Sequence, residues 1–291
     1  LIASVIIVTR QTSLLIDQQL GFNKTLLLEL GLPYEDNTTE KYQLLKDQCM
    51  KLPEVRSIGA SWNTPAGNIN NYGLLEAYSA DGQPSRVTFG QVPVDGGYLP
   101  TLEPRFLFGK ELDPSLASDS SRIILNRAGM EALGLKDPVG KKVKNFFTGD
   151  PGVTFQIAGI IENIQYESLQ ESPQPACFFL SSWSLPSVII RLNPGDIPQT
   201  LKKIETIWTR VVPDIPFQYR FISDKLLSNY KKEIRTKNVL TSMAFIAIFI
   251  SMLGVFGLGL FISKSRTKEI GIRKVNGASV FEIMVLLNRD F

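Results

Sequence analysis

Residues 239–263 read VLTSMAFIAIFISMLGVFGLGLFIS, a run without a charged side chain between Lys237 and Lys264. At about 1.5 Å of rise per residue such a helix reaches roughly 37 Å, more than a hydrocarbon core of about 30 Å requires. Before the closing Ser263, only Thr241, Ser242 and Ser251 interrupt the apolar surface, whereas a soluble helix shows a polar face within two turns. The pattern predicts a transmembrane helix over residues 237–264. A second apolar run, residues 1–8, stops at Thr9-Arg10 and continues as an amphipathic pattern through Leu14, Leu15 and Gln18 to Gly21, a residue type favoured just past a helix end. It lacks the basic start and small-residue cleavage site of a signal peptide. Residues 1–16 therefore read as the end of a truncated transmembrane helix with its stalk.

Between these segments the pattern is that of a folded domain, residues 17–236. Residues 25–30 predict a strand, and Asn37 with Glu40 three positions later predicts a capped helix that runs to about Leu52. Residues 55–61 predict the next strand. Towards the other end, residues 188–192 predict a strand and residues 197–211 a helix, with Ile197, Leu201, Ile204, Trp208 and Val211 on one face; residues 217–222 alternate as a half-buried strand. A β-α-β unit thus stands at each end of the domain, residues 17–61 and 183–236. Two such units can share one sheet as a split, ferredoxin-like layer. Residues 62–182 form a strand-rich insertion, with strands at 86–94, 121–126 and 154–161 and one short helix at 127–133. The fold class expected is α+β, a split β-α-β extracytoplasmic layer with an insertion, flanked by transmembrane helices.

Composition narrows the chemistry. The chain has 291 residues, 31 Lys plus Arg against 28 Asp plus Glu, and a net charge of +3, too small and too evenly spread for a nucleic-acid footprint. The absence of histidine excludes Ser-His-Asp and Cys-His nucleophile systems and histidine metal sites. Cys49 and Cys177 lie too far apart for a zinc or redox motif and read as two buried thiols. Gly134 to Lys142 resembles a phosphate loop, but the spacing between Gly134 and Gly140 is one residue too long, and Lys142 stands where a hydroxyl would hold magnesium. Ser228 and Lys231 have the spacing of acyl enzymes without the accompanying motifs. Glu167 and Glu171, one helical turn apart, read as a solvated face. No catalytic residue, cofactor or metal site is expected.

The apolar helix and the segment after it carry more information. Ala244, Ala247, Ser251, Gly254 and Gly257 recur at spacings of three and four, which lets another helix approach closely. Beyond Lys264 comes a charged segment in which Glu269 precedes Arg273 by four residues, the favourable order for a helical ion pair, with Gly277 as its end. Ser279 and Glu282 form a capping box that opens a new apolar helix through residues 283–287. Basic residues flank the membrane segment on both sides, so the positive-inside rule gives no orientation.

Arg266-Thr-Lys-Glu-Ile-Gly-Ile-Arg-Lys-Val-Asn-Gly-Ala-Ser279, directly after a glycine-containing membrane helix, resembles the signature of FtsX/MacB-type permeases of ABC transporters. Gln19 to Lys24, Ile123 to Asn126, Leu133-Gly134 and Asp137 to Lys141 are similar to that family's MacB-like periplasmic core domain. Asn276 departs from the pattern, where an apolar residue is usual. The ending Leu286 to Phe291 is similar to the second half of an eight-helix permease. The resemblance implies a multi-pass bacterial inner-membrane protein whose large domain is periplasmic and whose residues 265–291 form a cytoplasmic coupling segment and the start of the next helix. It implies that Glu269, Ile270, Arg273, Gly277 and Ala278 dock a separate ABC ATPase subunit. It also implies a second permease half or copy, a periplasmic adaptor, and mechanotransmission serving efflux or lipoprotein and peptide handling. A membrane-anchored extracytoplasmic sensor or receptor shares the helix, domain, helix layout and stays open as the alternative; further spans or signalling heptads downstream would separate the two.

Overall fold

The computed structural model describes residues 21–78, 84–146, 152–166, 172–181, 183–229 and 231–279. The chain divides into two units, residues 17–231 and a second one that combines residues 1–16 with 232–291. The expected first membrane helix, the Glu167/Glu171 pair and the capping-box helix after Ser279 lie outside the described residues.

The larger unit begins with β1 (Leu27–Gly31), α1 (Thr38–Cys49) and β2 (Val55–Ser61), and closes with β10 (Ser187–Leu192), α4 (Ile197–Val211), β11 (Tyr219–Phe221) and α5 (Ile222–Asn229). These strands lie side by side in the order β11-β1-β10-β2, each antiparallel to its neighbour. The strand of one β-α-β unit therefore slots between the two strands of the other. α1 and α4 cover one face. There Leu28, Leu30, Tyr42, Leu45, Cys49, Ile58, Val188, Ile190, Ile204 and Trp208 form a core. α4 matches its apolar periodicity over its full length; Asp196 caps it by accepting from the Gln199 N–H at 3.0 Å. α1 ends at Cys49, three residues short of Leu52, and Asn37 makes no side-chain cap. Instead the Thr38 hydroxyl accepts from the Glu35 N–H at 2.7 Å, fixing the turn ahead of the helix.

The insertion holds more structure than expected. β3 (Tyr72–Tyr78), β4 (Pro84–Val94), α2 (Tyr98–Leu102), β5 (Phe106–Gly109), β6 (Arg122–Asn126), α3 (Arg127–Ala132), β7 (Lys142–Phe146), β8 (Val153–Ile161) and β9 (Ala176–Leu180) succeed one another along the chain. α2 corrects the expectation of a single short helix. Strands β4-β3-β7-β8-β6-β9 are paired in that order, and β9 pairs back onto β4, which closes a six-stranded ring. Closure removes the exposed edges that a strand-rich insertion would otherwise carry. Leu75, Phe89, Ile123, Leu125, Val143, Phe155, Ile157, Cys177 and Phe179 fill its interior. Gln91 and Asn145 are also fully buried; each amide donates to the other at 3.0 Å, and the Cys177 thiol donates to Gln91 Oε1 at 3.3 Å. A Cβ at Gly73, on the strand between them, would stand 2.6 Å from the Gln91 amide nitrogen and push that amide out of the pair.

A third core joins the ring to the layer's other face through Leu27, Val92, Val94, Tyr98, Leu102, Ile124, Ile161, Phe178, Ile189, Ile222 and Leu226. β1 and β10 are thus buried on both faces, which explains their nearly continuous apolar sequences. The exceptions on the inner face are Glu29 and Arg191.

Candidate functional site

The second unit holds α6 (Lys231–Ser265) from its second residue onward, and α7 (Thr267–Val275). Residues Asn238–Ser265 of α6 are long and apolar enough to cross a membrane, with a mean hydropathy of 2.6. Phenylalanines point outward all along it: Phe245, Phe249, Phe256 and Phe261 are each more than 60% exposed. In water that surface would be costly, at about 25 cal/mol per Å². Of the small residues singled out for helix packing, Ala244 is buried and Ala247 half-buried, while Ser251, Gly254 and Gly257 are exposed. A Cβ added at Gly254 or Gly257 would meet nothing within 4 Å, and the Ser251 hydroxyl donates back to Ala247 O at 2.9 Å. These three positions therefore leave room at the backbone for a neighbouring helix.

Arg266 departs from helical geometry, and the hydroxyl of Thr267 donates to Lys264 O at 2.7 Å, binding the first residue of α7 to the last turn of α6. Glu269 and Arg273 form the expected i,i+4 ion pair at 2.8 Å. The end of α7 is a Schellman cap: the Ala278 N–H donates to Arg273 O at 3.0 Å and the Gly277 N–H to Lys274 O at 3.2 Å, with Gly277 at φ +90°. Glu269, Ile270, Arg273, Gly277 and Ala278 thus sit on one short, solvent-facing helix and its cap, with Ile270, Arg273 and Ala278 half-buried and the others exposed. The sequence pattern had not singled out Ile272 and Val275, which are 65% and 88% exposed. Two apolar residues on a charged helix make no stripe that the sequence pattern could reveal.

Within the domain, the chain's entry and exit are each fastened by a buried ionic group. Gly21, at φ +75°, packs so closely on the Asn163 carbonyl that a Cβ would lie 2.0 Å from its oxygen. Arg191, 2% exposed, donates to Thr25 O at 2.9 Å, Asn23 O at 2.7 Å and Thr101 O at 2.8 Å. It joins the entering segment to the carbonyl end of α2, where positive charge is favoured. Burial depresses the Arg191 pKa, the nearby Glu103 carboxylate opposes this, and a guanidinium remains charged throughout. At the exit, Lys225 of α5 donates to Glu29 Oε1 at 2.9 Å and to Thr64 Oγ1 at 2.8 Å.

A small cavity, open to solvent, lies beside the ring, lined by Ile69, Ile164, Gln165, Tyr166, Pro173 and Ala176 among others. The hydroxyls of Tyr98 and Tyr166, 2.9 Å apart, are buried next to it, and burial pushes both far above the usual phenol range. Such hydroxyls stay protonated and serve as hydrogen-bonding groups. In the string that resembles a phosphate loop the amides at the second glycine are already paired: Gly140 N–H donates to Ile157 O and Lys141 N–H to Pro138 O. The Ser228 hydroxyl donates to Lys225 O at 2.7 Å, an ordinary local helix bond. Among the described residues, no three metal-ligating side chains come together.

No protein-family model matches the chain, and no curated protein matches it. Solved structures do. The periplasmic region of MacB from Actinobacillus actinomycetemcomitans superposes with a TM-score of 0.50 at 10% identity, over 74% of this chain and 97% of that one. The extracellular domain of the ABC-type transporter YknZ from Gram-positive bacteria matches with a TM-score of 0.44 at 14% identity, over 67% of this chain and 97% of that one. The likeness to the MacB region is one of fold.

Proposed function

We propose that this chain is the permease subunit of an ABC transporter. The observation that carries the reading is the combination, in one chain, of a MacB-like periplasmic fold with the apolar helix Asn238–Ser265 and the short exposed helix α7 beyond it. In this reading the domain stands outside the inner membrane of a bacterium, and α7 faces the cytoplasm. The protein is multi-pass, corresponds to the second half of an FtsX-like eight-helix permease, and packs its Ser251, Gly254 and Gly257 face against a second permease half or copy. The strand order β11-β1-β10-β2 supports treating one end of the domain as a split, ferredoxin-like layer.

The chain itself is no enzyme in this account; the ATP is hydrolysed on a separate subunit. Glu269, Ile270, Arg273, Gly277 and Ala278 present the ATPase with a capped, pre-ordered helix, which limits the entropy lost on docking. Ile272 and Val275 add an apolar contact. Nucleotide-driven closure of the ATPase then tilts the membrane helices and moves the periplasmic domain, as mechanotransmission for efflux or for handling lipoproteins and peptides, with a periplasmic adaptor as a further partner. The test is co-purification of the ATPase with the chain carrying Glu269→Arg and Arg273→Glu. Recovery of the ATPase is expected to fall at least tenfold, the loss that corresponds to about 1.4 kcal/mol. Undiminished recovery and activity would count against docking at α7.

A further inference from the structure

Glu29 occupies an inward-facing position on β1, between Leu27 and Gly31 on a face whose other polar side chain is Arg191 and whose rest is hydrophobic core. A carboxylate there needs partners, and two are supplied from separate parts of the chain. Lys225 Nζ stands 2.9 Å from Glu29 Oε1, and the Thr64 hydroxyl donates to the same oxygen at 2.5 Å. Lys225 closes the triangle by donating to Thr64 Oγ1 at 2.8 Å. The Lys225 and Glu29 side chains are only 15% and 19% exposed, and Thr64 is 3% exposed, so solvent screens the triad little. Gly67 lies over it: a Cβ there would come within 3.1 Å of Lys225 Nζ.

Each member belongs to a different element of the domain. Lys225 is in the middle of α5, the helix by which the chain leaves the domain. Glu29 is in β1, the strand by which it enters. Thr64 is in the loop after β2, which reaches the cavity: the Tyr98 hydroxyl donates to Asn63 O at 2.8 Å, the Ala66 N–H donates to Gln165 O at 3.1 Å, and Ile69 and Gln165 form part of the cavity wall. Without the triad, α5 is held to the layer chiefly by Ile222 and Leu226.

We infer that Lys225, Glu29 and Thr64 form a clamp that makes α5, β1 and the 62–69 loop move as one body. Displacement of the departing chain is then delivered to the sheet and the cavity wall, and is not absorbed in a hinge at β11. The direction of that displacement rests on the permease reading; the clamp itself does not.

The test is amide hydrogen exchange on the full chain in lipid nanodiscs, comparing the native protein with Lys225→Met, Glu29→Gln and the charge-swapped Glu29→Lys/Lys225→Glu. Either single change is expected to speed exchange of residues 222–229 and 62–69 together by about tenfold, the loss of one charge-assisted hydrogen bond. Strands β3 and β7 of the ring are expected to keep native rates, and the swap to restore most of the protection. Unchanged exchange in α5, loosening of α5 without the loop, acceleration spread evenly over the domain, or no rescue by the swap would each overturn the clamp. The measurement uses no ATPase, so a failure of ATPase recruitment would leave it standing.

Discussion

The residues that decide most in this molecule are the polar ones placed where the strand pattern asks for apolar side chains. Arg191 sits on the inner face of β10, opposite Leu27 of β1, and is held by backbone carbonyls from two distant segments. Replacing it by Met keeps the bulk but leaves those carbonyls without donors, at a cost of about 3 kcal/mol. Denaturant unfolding of the full chain in detergent checks this. The chain's three tryptophans, Trp62, Trp183 and Trp208, all lie in the larger unit, so their fluorescence reports that unit alone. A loss under 1 kcal/mol would show that the arginine is not what fixes the entering chain. Such residues were not legible beforehand: a lone Arg or Glu inside an apolar run reads as solvent-facing alternation. Its true direction depends on a partner supplied from 90 or more residues away, as for Thr101 and Arg191. The two thiols were legible, since the structure buries both, Cys49 in the layer core and Cys177 inside the ring.

At the scale of elements, periodicity did well wherever one element faces one core. α4 spans Ile197–Val211 as its apolar stripe requires, and β2 spans Val55–Ser61. It failed where elements are short or enclosed. β5 has four residues and α2 five, below the length at which a period can be recognised. β3, β7 and β9 pair only inside a closed ring, and nothing local announces closure. β11 is three residues long because Ile222 turns into α5, placing its side chain in the core shared with the ring. The cap of α7 was readable, because glycine at φ +90° is the residue a Schellman ending needs. Gly277→Ala is predicted to cost about 1 kcal/mol and to fray the last turn of α7. Exchange at residues 273–278 should then rise roughly fivefold, while unaltered exchange there would mean that the cap does not order the helix end.

At the scale of the whole molecule, hydrophobicity alone separates a folded domain from a segment, Asn238–Ser265, that is long and apolar enough to cross a membrane. The candidate docking residues come from the resemblance and from their position between that span and the capping box at Ser279. The exposed Ile272 and Val275 of α7 were missed because two isolated apolar residues make no stripe. The account stands or falls on residues 34 and 275 being on opposite sides of a bilayer. Substituted-cysteine labelling in bacterial cells measures this directly. Native Cys49 and Cys177 should give little background, since burial raises both thiols, Cys49 to about 12. Tyr34 and Val275 are 66% and 88% exposed, so a cysteine at either place is open to reagent. Tyr34→Cys is predicted to react with a membrane-impermeant maleimide in intact cells once the outer membrane is opened, and Val275→Cys only after the inner membrane is permeabilised. Equal labelling of both before that step would contradict a chain that spans the membrane between its domain and its docking helix.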